Sequence, residues 1–334
     1  MQRSVVTVQG PRPNQPHGMV DAHTHLWIDP PVGVQAGDAP VLTDEGSIGR
    51  ELAAFRASGG AAALDCQPPG TGRDVTRLVS LSRASGVDIV AATGFHLQRY
   101  YSPGAWIWSA PVEDLTHFFV SELTHGTLAS DGTPTAVRAG FIKTAHPGSL
   151  NDADSVRLFS AACAAVKQTG AAILVHTEQG RGVEALADFF VRNGVAAGRV
   201  VLCHMDKRPD FSLHRELARA GFLLEYDTFL RPKYEPSTRV WPLLERVLVE
   251  GYAASVACGL DLADASLWRF RGGGPGMLGF SEVVRPGLER LGASPTQVEA
   301  LLGRNIYACI ARSPHGVEAQ VNPRDEHKVQ SKEG

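Results

Sequence analysis

The stretch Asp21-Ala22-His23-Thr24-His25 closes a short apolar run, Gly18-Met19-Val20. Histidines at i and i+2 of a strand share a face, so His23 and His25 would set two imidazoles over one spot. Imidazole is the commonest metal-ligand side chain. A chance HxH is common enough that the pair alone decides nothing. Four more residues tip the balance. Lys143, His176, His204 and Asp261 each close an apolar, strand-like run, and each is followed by a polar loop. Six candidate ligands at the ends of five strands form a constellation that the rest of the chain must position.

A catalytic zinc usually takes three protein ligands plus water, so four histidines and an aspartate exceed one site. They suit two divalent ions roughly 3.5–4 Å apart, as in two-metal hydrolytic centres. Zinc is the first choice, and manganese or cobalt would also accept such mixed donors. Lys143 needs its own account, because an ammonium has no lone pair and repels cations. Condensed with carbon dioxide, its amine becomes a carbamate, an anion whose two oxygens can bridge both ions. The competing reading is an ammonium paired with a nearby carboxylate. Cys203 precedes His204 on the same strand and should face the other way, which makes it a packing residue.

The elements that carry these residues recur with a rhythm. Strands are predicted at 18–25, 61–66, 87–93, 137–143, 171–177, 200–204, 222–226 and 254–260. Helices are predicted at 45–58, 73–85, 112–125, 151–169, 183–193, 211–220, 237–250 and 281–291, and each stops at a glycine. Glycine is the cheapest residue for the left-handed position that ends a helix. Eight such units point to a (β/α)8 TIM barrel, with the candidate metal site at the C-terminal ends of the strands, where active sites of this architecture lie. An open, doubly wound sheet would carry a Gly-rich phosphate loop after its first strand. Here that place holds the histidine pair. Residues 1–17 read as an extended lead-in, since Pro11, Pro13 and Pro16 forbid regular helix. A last helix is expected within 294–311, packing under the barrel. The reading is therefore one barrel domain over 1–312, followed by a polar, mobile tail over 313–334 with no apolar period.

Composition fits this picture. The 334 residues are 43% hydrophobic and 20% charged, with a net charge of −3. Nothing basic suggests nucleic acid or an anionic membrane surface. No run reaches the roughly 18–20 apolar residues of a membrane span. The N-terminal residues lack the apolar core of a secretory signal. Five cysteines without a CxxC suit reduced thiols. Together these point to a cytoplasmic protein acting on a small-molecule substrate.

The ligand order now resembles a known family. HxH after the first strand, Lys after the fourth, His after the fifth and sixth and Asp after the eighth is similar to the amidohydrolase superfamily. More narrowly it resembles the phosphotriesterase-like branch, which contains many lactonases. The likeness covers about residues 7–312. It is carried by Gly10-Pro11, Asp21-Ala22-His23-Thr24-His25, Gly70-Thr71-Gly72-Arg73-Asp74, Thr93-Gly94-Phe95, Phe141-Ile142-Lys143, His176-Thr177-Glu178, Gly180 and Cys203-His204-Met205-Asp206. It implies that His23, His25 and Asp261 bind the more buried ion and that His176 and His204 bind the more exposed one. Carboxylated Lys143 would bridge them, and a homodimer would be an unsurprising assembly. There are departures. Thr24 stands where branch members often have Glu, and should point away from the metals. Asn305-Ile306 replaces an Asn-Pro and bears on packing. Asp264 stands where sugar-phosphate lactonases tend to carry an arginine. An acid there would repel a phosphate unless Arg269 or Arg271 substitutes.

The reaction this implies is hydrolysis of a sugar-derived lactone, with or without a phosphate, by a hydroxide bridging the two ions. Asp261 would take up the proton and deliver it to the departing ring oxygen. The loop from Tyr226 to Tyr234 resembles one that contacts the polar end of such substrates. Arg231 and Lys233 would hold an anion there, beside Tyr234. His96, after the third strand, would contact substrate or polarise a carbonyl. Tyr100 and Tyr101 are placed similarly, and His146 could support Lys143. The rivals are a phosphotriesterase, carboxylesterase or amidase on the same site, and a non-catalytic binding protein that kept the barrel.

Overall fold

The computed structural model describes residues 3–35, 37 and 39–313. The chain opens on an antiparallel hairpin, β1 (Ser4–Thr7) and β2 (Gly10–Pro13). The prolines do forbid helix here, as expected, but the segment is paired and not merely extended. Pro11 and Pro13 sit on a strand with no further neighbour among the described residues, where a missing N–H is tolerated.

The predicted rhythm follows. The barrel strands are β3 (Met19–Thr24), β4 (Gly60–Asp65), β5 (Asp88–Gly94), β6 (Phe141–His146), β7 (Ile173–Thr177), β8 (Val200–Cys203), β9 (Leu223–Tyr226) and β10 (Val256–Cys258). Between them run α1 (Glu45–Ala57), α2 (Val75–Ser85), α3 (Val112–Thr124), α4 (Ala153–Thr169), α5 (Val183–Arg192), α6 (Phe211–Arg219) and α7 (Val240–Val249). The strands lie parallel in chain order. Past β10, the Leu260 and Asp261 N–H groups donate to the His23 carbonyl at 3.2 and 2.7 Å, which closes the barrel beside its first strand. This is a (β/α)8 TIM barrel.

Strand alternation sorts the side chains. Val20, Ala22, Leu64, Val90, Phe141, Leu174, Val201 and Leu223 form one buried cluster inside the barrel. Ile89, Ile142, Ile173, Val175, Leu202 and Leu224 face the surrounding helices. After α8 (Arg285–Arg290) come α9 (Pro295–Glu299), a π-helical turn (Ala300–Arg304) and α10 (Asn305–Ile310). From α10, Ile306, Tyr307 and Ile310 join the interior cluster as a floor. The Asn305 amide donates to the Ala253 and Val256 carbonyls, at 2.7 Å each, and ties that floor to β10.

Not every helix-ending glycine works the same way. Gly86 and Gly170 are left-handed caps, at φ 70° and 67°. Gly126 lacks a positive φ. It is required because a Cβ there would collide with the Thr135 carbonyl oxygen. No helix among the described residues is long and apolar enough to cross a membrane. Most of the expected tail, from residue 314, lies outside the described residues.

Candidate metal centre

Three devices aim the six strand-end residues inward. Lys143 and His176 follow from alternation, two residues beyond the interior positions Phe141 and Leu174. The β3–β4 register shifts between Asp21 and Thr24, and a bulge of this kind re-aims side chains. It lets His23 follow Ala22 into the barrel end. His204 and Asp261 use the backbone, at φ 63° and 47°. Left-handed positions cost non-glycine residues roughly 1–3 kcal/mol and cluster at functional sites. Alternation puts Cys203 inward as interior packing, so a continued strand would turn His204 out. The left-handed turn brings it in.

The six residues meet at the mouth. His23 Nε2 lies 3.1 Å from Lys143 Nζ and 3.9 Å from an Asp261 carboxylate oxygen. His25 Nε2 is 3.7 Å from the same oxygen. His176 Nδ1 is 2.9 Å from His204 Nε2. Donor atoms of His23, His25 and Asp261 all lie within 4.8 Å of one another. The outward-facing ring nitrogens are also engaged. His23 Nδ1 faces Glu225 at 3.3 Å, His25 Nδ1 faces Gln67 at 2.8 Å and His176 Nε2 faces Glu178 at 3.4 Å. His204 Nδ1 faces the Asp227 carboxylate. Such partners orient metal-binding imidazoles and fix their tautomers.

The electrostatics suit cations supplied from outside. Burial pushes the pKa of His23, His176 and His204 down, and takes His25 to about 4. All four rings are therefore neutral at pH 7, each with a lone pair to give. Burial works against the Asp261 charge, but Arg231 leads the cations that outweigh it and hold the carboxyl below its usual value. Beneath the rings, burial and the neighbouring Asp227 and Asp206 push Glu225 well up. Four neutral imidazoles and an anionic carboxylate converging in a buried mouth are a donor set that fits divalent ions.

Around the cluster lies a cavity of about 300 Å³. His96, Arg231, Lys233 and Tyr234 all line it. The His96 ring stands 5.1 Å from His176 and 4.7 Å from Tyr100. Arg231 does not stand free. It pairs with the Asp261 carboxylate at 3.0 Å and also donates to the Asp261 carbonyl. Lys233 lies beside the Tyr234 ring, 5.1 Å from its centre, and Lys207 takes the same distance. Tyr101 departs from its expected place: its hydroxyl accepts the His96 N–H, and its ring packs on Trp108. His146 departs too. Three residues after inward-facing Lys143, it points outward against Phe159. Asp264 turns to cap Ser266 N–H at 2.9 Å and does not line the cavity. Arg269 is occupied by Glu282, so it offers no replacement for the missing arginine.

Several residues here were not singled out from sequence. Lys207 lines the cavity with its ammonium 4.0 Å from Asp261. Gln67, Glu225 and Asp227 support the rings, beside Glu178, which the resemblance had already brought in with His176-Thr177-Glu178. Only Glu225 left a readable signal, as an acid inside an otherwise apolar strand, a place acids seldom occupy unless paired.

A parallel barrel with this cluster at its C-terminal mouth defines a metal-dependent hydrolase. The phosphotriesterase family model matches residues 3–308, and the chain belongs to that family. An uncharacterized protein of Mycoplasma pneumoniae is 31% identical over 248 residues, covering 71% of this chain and 70% of the relative. A phospho-furanose lactonase of Mycoplasmopsis agalactiae is 26% identical over 245 residues, 70% of this chain and 69% of the relative. In structure, an amidohydrolase from Mycoplasma synoviae superposes with a TM-score of 0.86 at 22% identity, over 93% of each chain.

Proposed function

We propose that this hydrolase opens a sugar-derived lactone, with or without a phosphate. The supporting observation is the cavity wall. Among the described residues, Arg99, Lys207, Arg231, Lys233 and Tyr234 line a cavity whose acids are Glu178 and Asp261. Cations and a hydroxyl suit a polyhydroxylated or anionic ligand. A phosphotriester would need apolar subsites for neutral arms, and among the lining residues Ile28, Ala39, Pro40 and Ala263 offer little of that. The phospho-furanose lactonase named among the relatives points the same way.

His23, His25 and Asp261 would hold one divalent ion and His176 and His204 a second, with Lys143 serving both as its carbamate. Zinc is the first candidate, with manganese or cobalt as alternatives. Such ions, when bound, acidify water and polarise a carbonyl. Asp261 takes the proton of the attacking water and hands it to the ring oxygen. Lys233 and Tyr234 hold the polar end of the substrate, and His96 borders the reacting carbonyl. A full-length sample supplied with zinc, manganese or cobalt should carry about two divalent ions per chain. Elemental analysis that finds one ion or none in folded protein overturns the two-ion reading.

Substrate choice has its own test. Lys233→Ala should raise KM sharply for an anionic lactone and little for its neutral analogue, because only the former loses a charge-assisted contact. Equal effects would remove Lys233 from the anion site. A higher kcat/KM for a phosphotriester than for every lactone tried would overturn the substrate assignment and leave the metal centre standing.

A further inference from the structure

The four inward-facing imidazoles are not supported alike. His23, His176 and His204 each have a carboxylate at the other ring nitrogen: Glu225, Glu178 and Asp227. His25 has the neutral amide of Gln67. An amide can donate or accept, so alone it leaves the tautomer of His25 open. The surroundings of Gln67 settle which end is which.

Thr71 Oγ1 donates its proton to the Pro68 carbonyl at 2.8 Å. That leaves Oγ1 only lone pairs to offer Gln67, whose amide nitrogen lies 2.9 Å away. The same nitrogen meets the Thr71 carbonyl, also an acceptor. Two acceptors on one side require the NH2 group there. The Gln67 carbonyl oxygen must then face His25 Nδ1, at 2.8 Å. An oxygen without a proton makes Nδ1 the donor. His25 Nε2 is left as a bare lone pair, 3.7 Å from the Asp261 carboxylate. All three residues are buried, so water cannot readily substitute for either contact.

We infer that Gln67, held in one orientation by Thr71, is a positioning residue that locks His25 as its Nδ1–H tautomer and so prepares Nε2 to bind a cation. What Nε2 is prepared for rests on the metal-centre reading; the lock itself does not. Full-length protein labelled with 15N in its histidines tests the lock without metal. Wild-type His25 should give the spectrum of a single Nδ1–H tautomer, and Gln67→Leu should give a mixture. Zinc affinity, read by competition with a chelating indicator, should fall about 10–100-fold in Gln67→Leu, the usual cost of losing a support of this kind. Thr71→Val, one step further from the ring, should shift both readouts in the same direction by less. A Gln67→Leu protein with an unchanged His25 spectrum and unchanged zinc affinity overturns the inference. If wild-type protein bound no zinc, the metal-centre reading would fall, and the tautomer spectra would still decide the role of Gln67.

Discussion

Lys143→Ala is expected to lose its divalent ions and its turnover together, and added short carboxylic acids should restore part of both. Lys143 is fully buried, and its Nζ lies 3.1 Å from His23 Nε2. Among the described residues, no carboxylate oxygen comes within 4.0 Å of it, so the reading of Lys143 as one half of an ion pair has no partner. Burial disfavours its ammonium. Cys66, Cys203, Asp261 and Glu225 offset this and raise its pKa. Two of those four are thiols that burial keeps protonated at neutral pH, and Glu225 is itself pushed well up. The ammonium therefore has little anionic support, and a buried charge without a partner is costly. A carbamate would reverse the sign and supply two oxygens where the four imidazoles converge. The loss of metal should exceed the roughly 10–100-fold that removal of a mere supporting residue costs. Acetate or propionate would fit the space the truncated side chain leaves. Elemental analysis and turnover, each with and without added acid, decide it. A Lys143→Ala protein that keeps both ions and full activity shows that Lys143 is not the bridge.

The barrel was legible because its signals are local and repeated. Apolar runs, helix-stopping glycines and polar loops recur often enough that shifts of a few residues did not matter: the strand read over 137–143 is Phe141–His146, and the helix read over 237–250 is Val240–Val249. The hairpin of β1 and β2 was missed because its prolines exclude helix without saying whether an extended segment is paired. The six strand-end residues were legible as a set, but the way two of them reach the mouth was not. His204 and Asp261 depend on left-handed backbone that their residue types do not announce, and simple alternation would turn His204 outward. Gln67 and Lys207 were invisible for another reason. Each acquires meaning only through a partner distant in sequence, His25 for one and Asp261 for the other. Arg231 shows the opposite case. Its type and place suggested a free anion-binding cation, and the fold spends much of that charge on Asp261.

That pairing bears on the reaction, because it makes Asp261 the most constrained carboxylate at the mouth. Its N–H is tied to the His23 carbonyl at 2.7 Å, and its oxygens lie 3.7 Å from His25, 3.0 Å from Arg231 and 4.0 Å from Lys207. Arg231 and Lys207 keep it ionised against burial. A carboxyl held below its ordinary pKa is a stronger acid once it has taken a proton, and so a better donor to a departing oxygen. Asp261→Asn keeps the shape and the backbone tie but cannot carry that proton. Its kcat for a lactone should fall by roughly 10²–10⁴-fold, the usual contribution of a positioned acid–base group. Metal content should fall less, since an amide oxygen is a weaker ligand and the imidazoles remain. The leaving group separates the two roles of Asp261. A ring alkoxide leaves poorly and needs the proton, whereas a nitrophenolate leaves without it. The defect should therefore be large for an aliphatic lactone and smaller for a nitrophenyl ester measured at the same metal occupancy. Equal losses on both would confine Asp261 to holding metal, and a variant within a few-fold of wild type on the lactone would exclude it as the proton carrier.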